Sequence, residues 1–343
     1  MTISTTRPTE FSIDALRDAV HGRVIDPHDP DYDAARTVMY GGGGERRPLA
    51  IVRVADAEDV ARVLAFTRAT GVDLSVKCGG HSATGASVVD GGVVIDVHDL
   101  RELDIDVANR TAWAGSGLTA AEYSAAASEH GLATGFGDTG SVGIGGITVG
   151  GGVGYLGRKH GLTIDNLLAA EVVTGDGRTI LTDAQHEPDL FWAIRGGGGN
   201  FGVVTKFQFR LADVSSFVGG MMVLPATAET VQGFIAAAEA APDELSTIAN
   251  VMPCPPLPFV DEQHHGSLVI FAMLGFAGVV EAGQAALAPF RALAEPLADM
   301  VRPSTTCWPP TSSRPTAGSG VSTRSTSPTC TGRSAAAAAT SAS

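Results

Sequence analysis

Half of the 18 residues from Gly137 to Gly154 are glycine (GDTGSVGIGGITVGGGVG). A second glycine loop, residues 77–82 (KCGGHS), lies upstream of it. Glycine at this density weakens helices and strands, but it lets the backbone approach a ligand closely or adopt a positive φ. Two such loops in one chain predict a backbone-lined cradle for a large ligand that carries phosphate.

The overall composition bounds the class of protein. The chain has 343 residues, which is room for roughly two domains. Hydrophobic residues make up 44% and charged residues 17%, so a sizeable core is expected. The formal net charge of −14 argues against nucleic acid or an anionic membrane surface as a partner, because both need clustered Lys and Arg.

Neither a membrane segment nor a metal or disulfide framework is expected. No apolar run is long enough for a membrane span, and the N-terminus lacks a basic-then-apolar signal pattern. The expected location is therefore cytoplasmic. The four cysteines, Cys78, Cys254, Cys307 and Cys330, show no CxxC spacing.

The chain changes character near residue 303. From Pro303 to Ser343, 19 of 41 residues are Ser or Thr, and all 37 acidic residues precede this segment. Such a segment buries too little apolar surface to offset its ordering entropy, so a disordered tail is expected. The abrupt loss of acidic residues also motivates the hypothesis that the tail is a wrong-frame translation product. Resequencing the gene across this junction tests it, and an uninterrupted frame would refute it.

The hydrophobic pattern predicts an α+β fold with short sheets rather than a regular βαβ series. Residues 217–302 differ from the preceding part, since two Ala-rich helices surround three strand-like pieces there. This segment is small for an independent domain. The predicted strands lie at 51–54, 74–76, 93–97, 103–106, 111–114, 170–174, 179–182, 203–211, 218–224, 246–252 and 267–275; the predicted helices lie at 11–20, 56–71, 119–131, 188–194, 226–241 and 278–299.

The fingerprint G-x-G-x-x-G occurs twice, at 135–140 and at 197–202. A dinucleotide site of the Rossmann type requires a strand, the loop and then a helix. The second match precedes a predicted strand and the first precedes more glycine, so neither is expected to form such a site. No P-loop pattern is present in the sequence.

Three segments together resemble a known family. They are VKCGGHSATGASVVDGGVVIDV, TGSVGIGGITVGGGVGYLGRKHGLTIDNL and FWAIRGGGGNFGVVTKFQF. They resemble the FAD-binding (PCMH-type) domain of the vanillyl-alcohol-oxidase superfamily, most closely its berberine-bridge-enzyme-like branch. The resemblance implies an N-terminal extension at 1–25, a two-subdomain FAD-binding domain at 26–211, a partial antiparallel sheet-and-helix substrate domain at 212–302 and the tail at 303–343.

The resemblance places the cofactor contacts in the two glycine loops. His81 falls where the family attaches FAD through the flavin 8α-methyl carbon, and a neutral imidazole nitrogen is a competent nucleophile. The alternative is that His81 only forms hydrogen bonds in a tight turn. The residues expected to contact FAD are Lys77, Cys78, Gly79, Gly80, His81, Ser82, Gly137, Asp138, Thr139, Ser141, Val142, Gly143, Gly145, Gly146 and Val203.

Three positions in the two loops bear on what the resemblance implies for the flavin. Many members carry a cysteine that attaches to flavin C6 where this chain has Thr139, so one covalent link is expected rather than two. Cys78 is expected to be a packed small residue. Val142 matches a position near the oxygen approach in plant members, which favours dioxygen as the electron acceptor.

Other polar residues leave alternatives open. Arg158, Lys159 and His160 could support the cofactor or form a solvated polar turn. The pair His264-His265 is expected to lie in an exposed loop rather than in a metal site, because adjacent side chains diverge and no third ligand is evident. Catalytic bases of the branch come from the substrate domain or a returning C-terminal segment. No base can be assigned here, and Tyr155 is expected to pack near the flavin.

The resemblance implies an FAD-dependent oxidoreductase that transfers a hydride from an alcohol, sugar or amine-type small molecule to flavin N5. A truncated, non-catalytic FAD-binding remnant is the alternative, because the chain lacks a counterpart of the closing C-terminal segment. A nicotinamide-dependent dehydrogenase is disfavoured because neither glycine fingerprint opens a helix. The oligomeric state is not indicated.

Overall fold

The computed structural model describes residues 10–40 and 44–304, together with the backbone of 323–324. The α+β prediction is confirmed. The helices are α1 Ile13–Ala19, α2 Tyr32–Arg36, α3 Ala57–Thr70, α4 Ala120–Ser128, α5 Ile144–Val149, α6 Gly157–His160, α7 Pro188–Ile194, α8 Ala228–Ala240 and α9 Val280–Arg291. The strands are β1 Arg23–Ile25, β2 Ala50–Arg53, β3 Leu74–Lys77, β4 Val93–Asp96, β5 Leu103–Asp106, β6 Thr111–Gly115, β7 Leu132–Ala133, β8 Leu167–Val173, β9 Thr179–Asp183, β10 Val203–Arg210, β11 Ala212–Asp213, β12 Phe217–Pro225, β13 Leu245–Pro253, β14 Leu268–Ala277, β15 Ala298–Asp299, β16 Arg302–Ser304 and β17 Thr323–Arg324.

Two sheets build the first part of the chain. The first sheet has the order β1-β2-β4-β3, with β4 parallel to both β2 and β3. The second has the order β17-β5-β6-β10-β8-β9 and is antiparallel except at the β17–β5 pair. Each sheet has its own main apolar cluster, and Val173 and Val203 at the ends of β8 and β10 also join the cluster of the first sheet, so this part consists of two subdomains packed together.

Helix α3 covers the first sheet, and its ends follow from local chemistry. The Asp56 carboxylate accepts the backbone N–H of Asp59 at 2.8 Å and caps the N-terminus. Gly71 adopts the left-handed conformation (φ +69°) that ends the helix. Val60, Val63 and Leu64 form the buried face, as the sequence spacing predicts.

A third sheet forms the second part, where β12 pairs with β14, β14 with β13, and β15 and β16 with β12. Helices α8 and α9 pack on one face through Phe234 and Phe290, whose ring centroids lie 5.0 Å apart. Helix α9 ends at Arg291, eight residues before the predicted end at 299, because the chain turns there to reach β15.

The expected tail lies almost wholly outside the described residues. Pro303 and Ser304 belong to β16, which pairs with Val218 and Phe217 of β12. Within the described residues, no helix is long and apolar enough to cross a membrane.

Candidate functional site

The two glycine loops touch each other through their backbones. The first loop follows β3, and the second leads into α5 at Gly143. A Cβ at Gly143 would overlap the sulfur of Cys78 and lie 2.5 Å from the backbone nitrogen of Gly79. A Cβ at Gly79 would likewise meet the backbone of Gly143. Only glycine at both positions permits this approach, which joins the two subdomains at the loops.

The loops form the walls of a cleft of about 820 Å³ between the two subdomains. This volume is in the range of sites that hold drug-sized ligands and cofactors. Eleven of the fifteen predicted cofactor contacts line it: Cys78, Gly79, Gly80, His81, Ser82, Asp138, Thr139, Val142, Gly143, Gly146 and Val203.

The other four predicted contacts lie outside the lining. Lys77 donates from Nζ to the carbonyl of Ala35 at 2.7 Å and lies 3.7 Å from the buried carboxylate of Asp96. Gly137 adopts a positive φ of +87° and packs against Ile147. Gly145 packs on the backbone of Ser116 and donates to its carbonyl at 3.2 Å. The fourth, Ser141, contacts His81.

His81 is half-buried in the cleft wall, and its ring is held by the opposite loop. The Oγ of Ser141 lies 3.1 Å from Nε2 of His81, across 60 residues of sequence. This hydrogen bond leaves Nδ1 as the ring nitrogen without a partner in the described part of the chain. The imidazole is therefore oriented before any ligand arrives.

Cys78 and Thr139 are engaged in local contacts. The thiol of Cys78 donates to the carbonyl of Ser116 at 3.0 Å, and burial raises its pKa. It is thus kept protonated and is a weak nucleophile. Thr139 donates from Oγ1 to the carboxylate of Asp138 at 3.0 Å.

The cleft offers backbone donors rather than cationic side chains. Among its described lining residues none is Lys or Arg, and Asp138 is the only carboxylate. The backbone N–H groups of Gly80, His81 and Ser82 donate to no acceptor in the described residues. Free N–H groups in a glycine loop form an anion-binding concavity, so this cradle suits the pyrophosphate of a dinucleotide. The residues present therefore fit FAD.

Several lining residues were missed by the sequence analysis: Tyr40, Leu64, Leu74, Ser75, Val76, Ala86, Ser87, Ile147, Gly175, Gly199, Asn200, Phe201 and Gly202. The last four lie in the segment GGGGNFGVV, which is part of the family resemblance, although only Val203 of this segment was predicted to contact the cofactor. The same motif could have indicated these four residues as well. For the apolar residues of α3 and β3, no sequence motif marks the side that faces the cleft.

Arg158 and Lys159 attach the second part of the chain, which contains the third sheet, to the first part. Arg158 donates to the carbonyls of Ala238, Ala241 and Leu245 at 2.8–3.1 Å, at the C-terminal end of α8 and beyond it. Lys159 donates to the carbonyl of Ala277 at 2.9 Å. Neither alternative from the sequence holds for these two residues, because they line no part of the cleft and are not merely solvated. Burial and the neighbouring Lys159 lower the pKa of His160.

The third sheet turns an apolar face toward the first part of the chain. Tyr155 packs against this face, where a Cβ added at Gly275 would lie 3.2 Å from the Cβ of Tyr155. Its hydroxyl is buried without a partner among the described residues. Burial and the nearby Asp138 raise the pKa of Tyr155 to about 12. The strand register puts Met221, Ile248, Asn250, Phe271 and Met273 on the same face.

One cluster outside the cleft contains the residue types that commonly bind metal ions. His21, Asp56 and Asp59 place one ligand atom each within 4.8 Å of one another. The Asp59 carboxylate already accepts the backbone N–H groups of His21, Gly22 and Ala55 at 2.8–3.0 Å, and Arg62 lies 3.6 Å away. These contacts tie β1 to α3.

The second histidine of the His264-His265 pair is engaged locally. The side chain of His265 contacts the carbonyl of Val260 at 3.0 Å.

Comparison with known proteins agrees with this geometry. The family described as "FAD binding domain" matches residues 48–183. (R)-6-hydroxynicotine oxidase from Paenarthrobacter nicotinovorans is 31% identical over 284 residues, which cover 82% of this chain and 61% of that protein.

Two solved structures superpose well. The crystal structure of 6-hydroxy-D-nicotine oxidase from Arthrobacter nicotinovorans has a TM-score of 0.76 at 30% identity and covers 89% of this chain and 64% of its own. A berberine-bridge-enzyme-like protein of Physcomitrella patens has a TM-score of 0.75 at 25% identity, with coverage of 86% and 62%. The chain thus spans less than two thirds of the length of these relatives.

The matched domain, the superposed fold and the glycine-lined cleft lead to one assignment. Residues 48–183 match the FAD binding domain family, and the chain is similar to FAD-linked oxidoreductases that include the berberine-bridge-enzyme-like proteins.

Proposed function

We propose that the chain binds FAD in the cleft, bonds it covalently through His81 alone, and oxidises an alcohol, sugar or amine-type small molecule with dioxygen as the electron acceptor. One observation carries the proposal: the two glycine loops meet by backbone contact around a cleft whose wall presents His81 with an oriented ring. The flavin, when bound, supplies the acceptor for a hydride and returns the electrons to dioxygen.

The residues of the chain have three tasks in this reaction. The free N–H groups of Gly80, His81 and Ser82 hold the pyrophosphate and fix the position of the ring system. His81 provides the covalent bond, and Thr139 has no thiol with which to form a second one. Val142 lines the cleft without a bulky side chain, which supports access of dioxygen. We also propose a cytoplasmic location for the protein.

A second candidate is an FAD-binding protein without catalytic activity. The observation that favours it concerns the third sheet, whose apolar face packs against Tyr155. The described residues of β12, β13 and β14 include no ionisable side chain that could serve as a base. Tyr155 lies beside that face, but its raised pKa makes it a poor base near neutral pH.

The test begins with the purified full chain. FAD per chain is measured first, and hydrogen peroxide is then followed across a panel of amines, sugars and secondary alcohols. Peroxide production that depends on substrate and on bound FAD supports the oxidase. Stoichiometric FAD with no peroxide from any substrate class supports the non-catalytic candidate, and a flavin-free chain that remains flavin-free when FAD is added contradicts both.

A further inference from the structure

We infer that Ser141 is a positioning residue for the covalent attachment of FAD, because it holds the Nε2–H of His81 and directs the bond to Nδ1. This inference rests on the proposed covalent bond at His81. The observation behind it is the 3.1 Å contact between Oγ of Ser141 and Nε2 of His81.

The tautomer follows from which nitrogen has a partner. In neutral imidazole one nitrogen carries the proton and the other has the lone pair. A hydroxyl that accepts the Nε2 proton stabilises the tautomer whose lone pair is on Nδ1, and Nδ1 has no other partner in the described residues. With Nε2 engaged by Ser141, the lone pair on Nδ1 is left to act as the nucleophile.

The attachment step balances with dioxygen as the oxidant. The bond between Nδ1 and the flavin 8α carbon forms, and one C–H bond of the 8α-methyl group breaks. The imidazole, which becomes positively charged as the bond forms, loses its Nε2 proton, and the two electrons of the C–H bond reduce the flavin. Dioxygen then removes these two electrons with two protons and gives hydrogen peroxide.

A hydroxyl suits both stages of this step. It accepts from Nε2–H while the imidazole is neutral or cationic, and it donates to Nε2 after the proton has left. A serine is therefore a better partner than a fixed donor or acceptor. The contact also bridges the two loops, so it forms only when the cleft is assembled.

The neighbouring hydroxyls provide a matched control. Thr84 follows His81 in the same loop, and its Oγ1 contacts Oγ of Ser82 at 3.0 Å rather than the imidazole. Thr84 is exposed and does not line the cleft. A Thr84→Val change removes a hydroxyl from this loop without touching the Ser141–His81 contact.

The experiment uses the full chain produced in riboflavin-limited cells and then mixed with FAD in air. Acid quenching at intervals separates covalent from free flavin, and fluorescence quenching measures reversible binding in parallel. We expect Ser141→Ala to slow covalent attachment about tenfold or more, the loss expected for one hydrogen bond in the reacting arrangement. Ser141→Thr should retain most of the rate, and Thr84→Val should match the wild type.

The linked nitrogen gives a second readout that does not depend on any variant. NMR of the flavin peptide released from the wild type should show the 8α carbon on Nδ1. Attachment at Nε2, or an unchanged rate in Ser141→Ala, overturns the role of Ser141. If the wild type binds FAD reversibly and never bonds it, the covalent part of the proposed function fails, and the inference fails with it.

Discussion

Replacing Gly146 by alanine tests the stability of helix α5 and its contact with the cofactor separately. Gly146 is an exposed interior residue of this helix, and a Cβ added there meets no atom within 4 Å. The change should therefore stabilise the flavin-free protein by about 0.5–1 kcal/mol, since alanine is the better helix former. With roughly 2.1 cal/mol/K of unfolding entropy per residue, the melting temperature should rise by about 1 °C.

The same substitution should weaken FAD binding, because Gly146 lines the cleft. A methyl group in the space of a closely bound ligand costs about 1–3 kcal/mol, which corresponds to a roughly 5- to 150-fold rise in Kd. Titration followed by flavin fluorescence measures Kd, in a His81→Ala background that keeps binding reversible. An unchanged Kd would refute the placement of FAD against α5.

Gly143→Ala is the matched control on the same loop. Its Cβ would lie 3.0 Å from Cβ of Cys78 and overlap the sulfur, so the two loops must separate. We expect the flavin-free protein to lose about 1–3 kcal/mol of stability and FAD binding to fall with it. Opposite effects on stability from two glycines three residues apart would be hard to explain by a general disturbance of the loop.

Three further predictions concern single side chains. Arg158→Ala should lower the free energy of unfolding by about 2 kcal/mol in urea titrations, because three carbonyls lose a charged donor, and Arg158→Lys should lose less. Because the folded-state pKa of Tyr155 (about 12) lies above the unfolded value of about 10, the unfolded chain ionises first. The free energy of unfolding should therefore fall as pH rises from about 10 to 12, and it should fall less steeply in Tyr155→Phe. Part of the slope should remain in this variant, because the pKa of the buried Tyr123 is also raised. Equal slopes in the wild type and the variant would contradict the burial of Tyr155. The raised pKa of Cys78 predicts slow alkylation by iodoacetamide at pH 8 in the folded protein and fast alkylation in urea, and fast reaction in the folded state would contradict its packing.

The parts of the fold that sequence predicted well have local causes. Asp56 and Gly71 mark the two ends of α3, and Thr119 with Glu122 forms the predicted capping box of α4. The first glycine loop follows β3 directly, as expected from the strand pattern before it. Each signal lies within a few residues of the element that it determines.

Helix α5 had no such signal. Its sequence IGGITV contains two glycines and two β-branched residues near its centre, a poor composition for a helix. Tertiary contacts override that propensity, because Ile144 is fully buried and the backbone of the preceding Gly143 is pressed against the first loop. Sequence reasoning expected only more glycine loop after Gly140.

Contacts between residues far apart in the chain could not be predicted from the sequence either. The role of Arg158 depends on carbonyls 80 or more residues away, and the contact of Ser141 with His81 spans 60 residues. The sequence of β14, LVIFAMLGFA, is apolar throughout and does not distinguish its two faces, so only the structure shows which face meets Tyr155. Nothing in residues 217–302 alone could have indicated this.

The most direct test of the central claim is mass spectrometry of the denatured full chain, followed by mapping of its peptides. The account predicts that the chain carries the mass of one FAD, that this mass resides on the peptide containing His81, and that His81→Ala removes it while reversible FAD binding remains. A flavin found on another residue, such as Cys78, or an unmodified chain purified from riboflavin-replete cells and then incubated with excess FAD, would contradict the account.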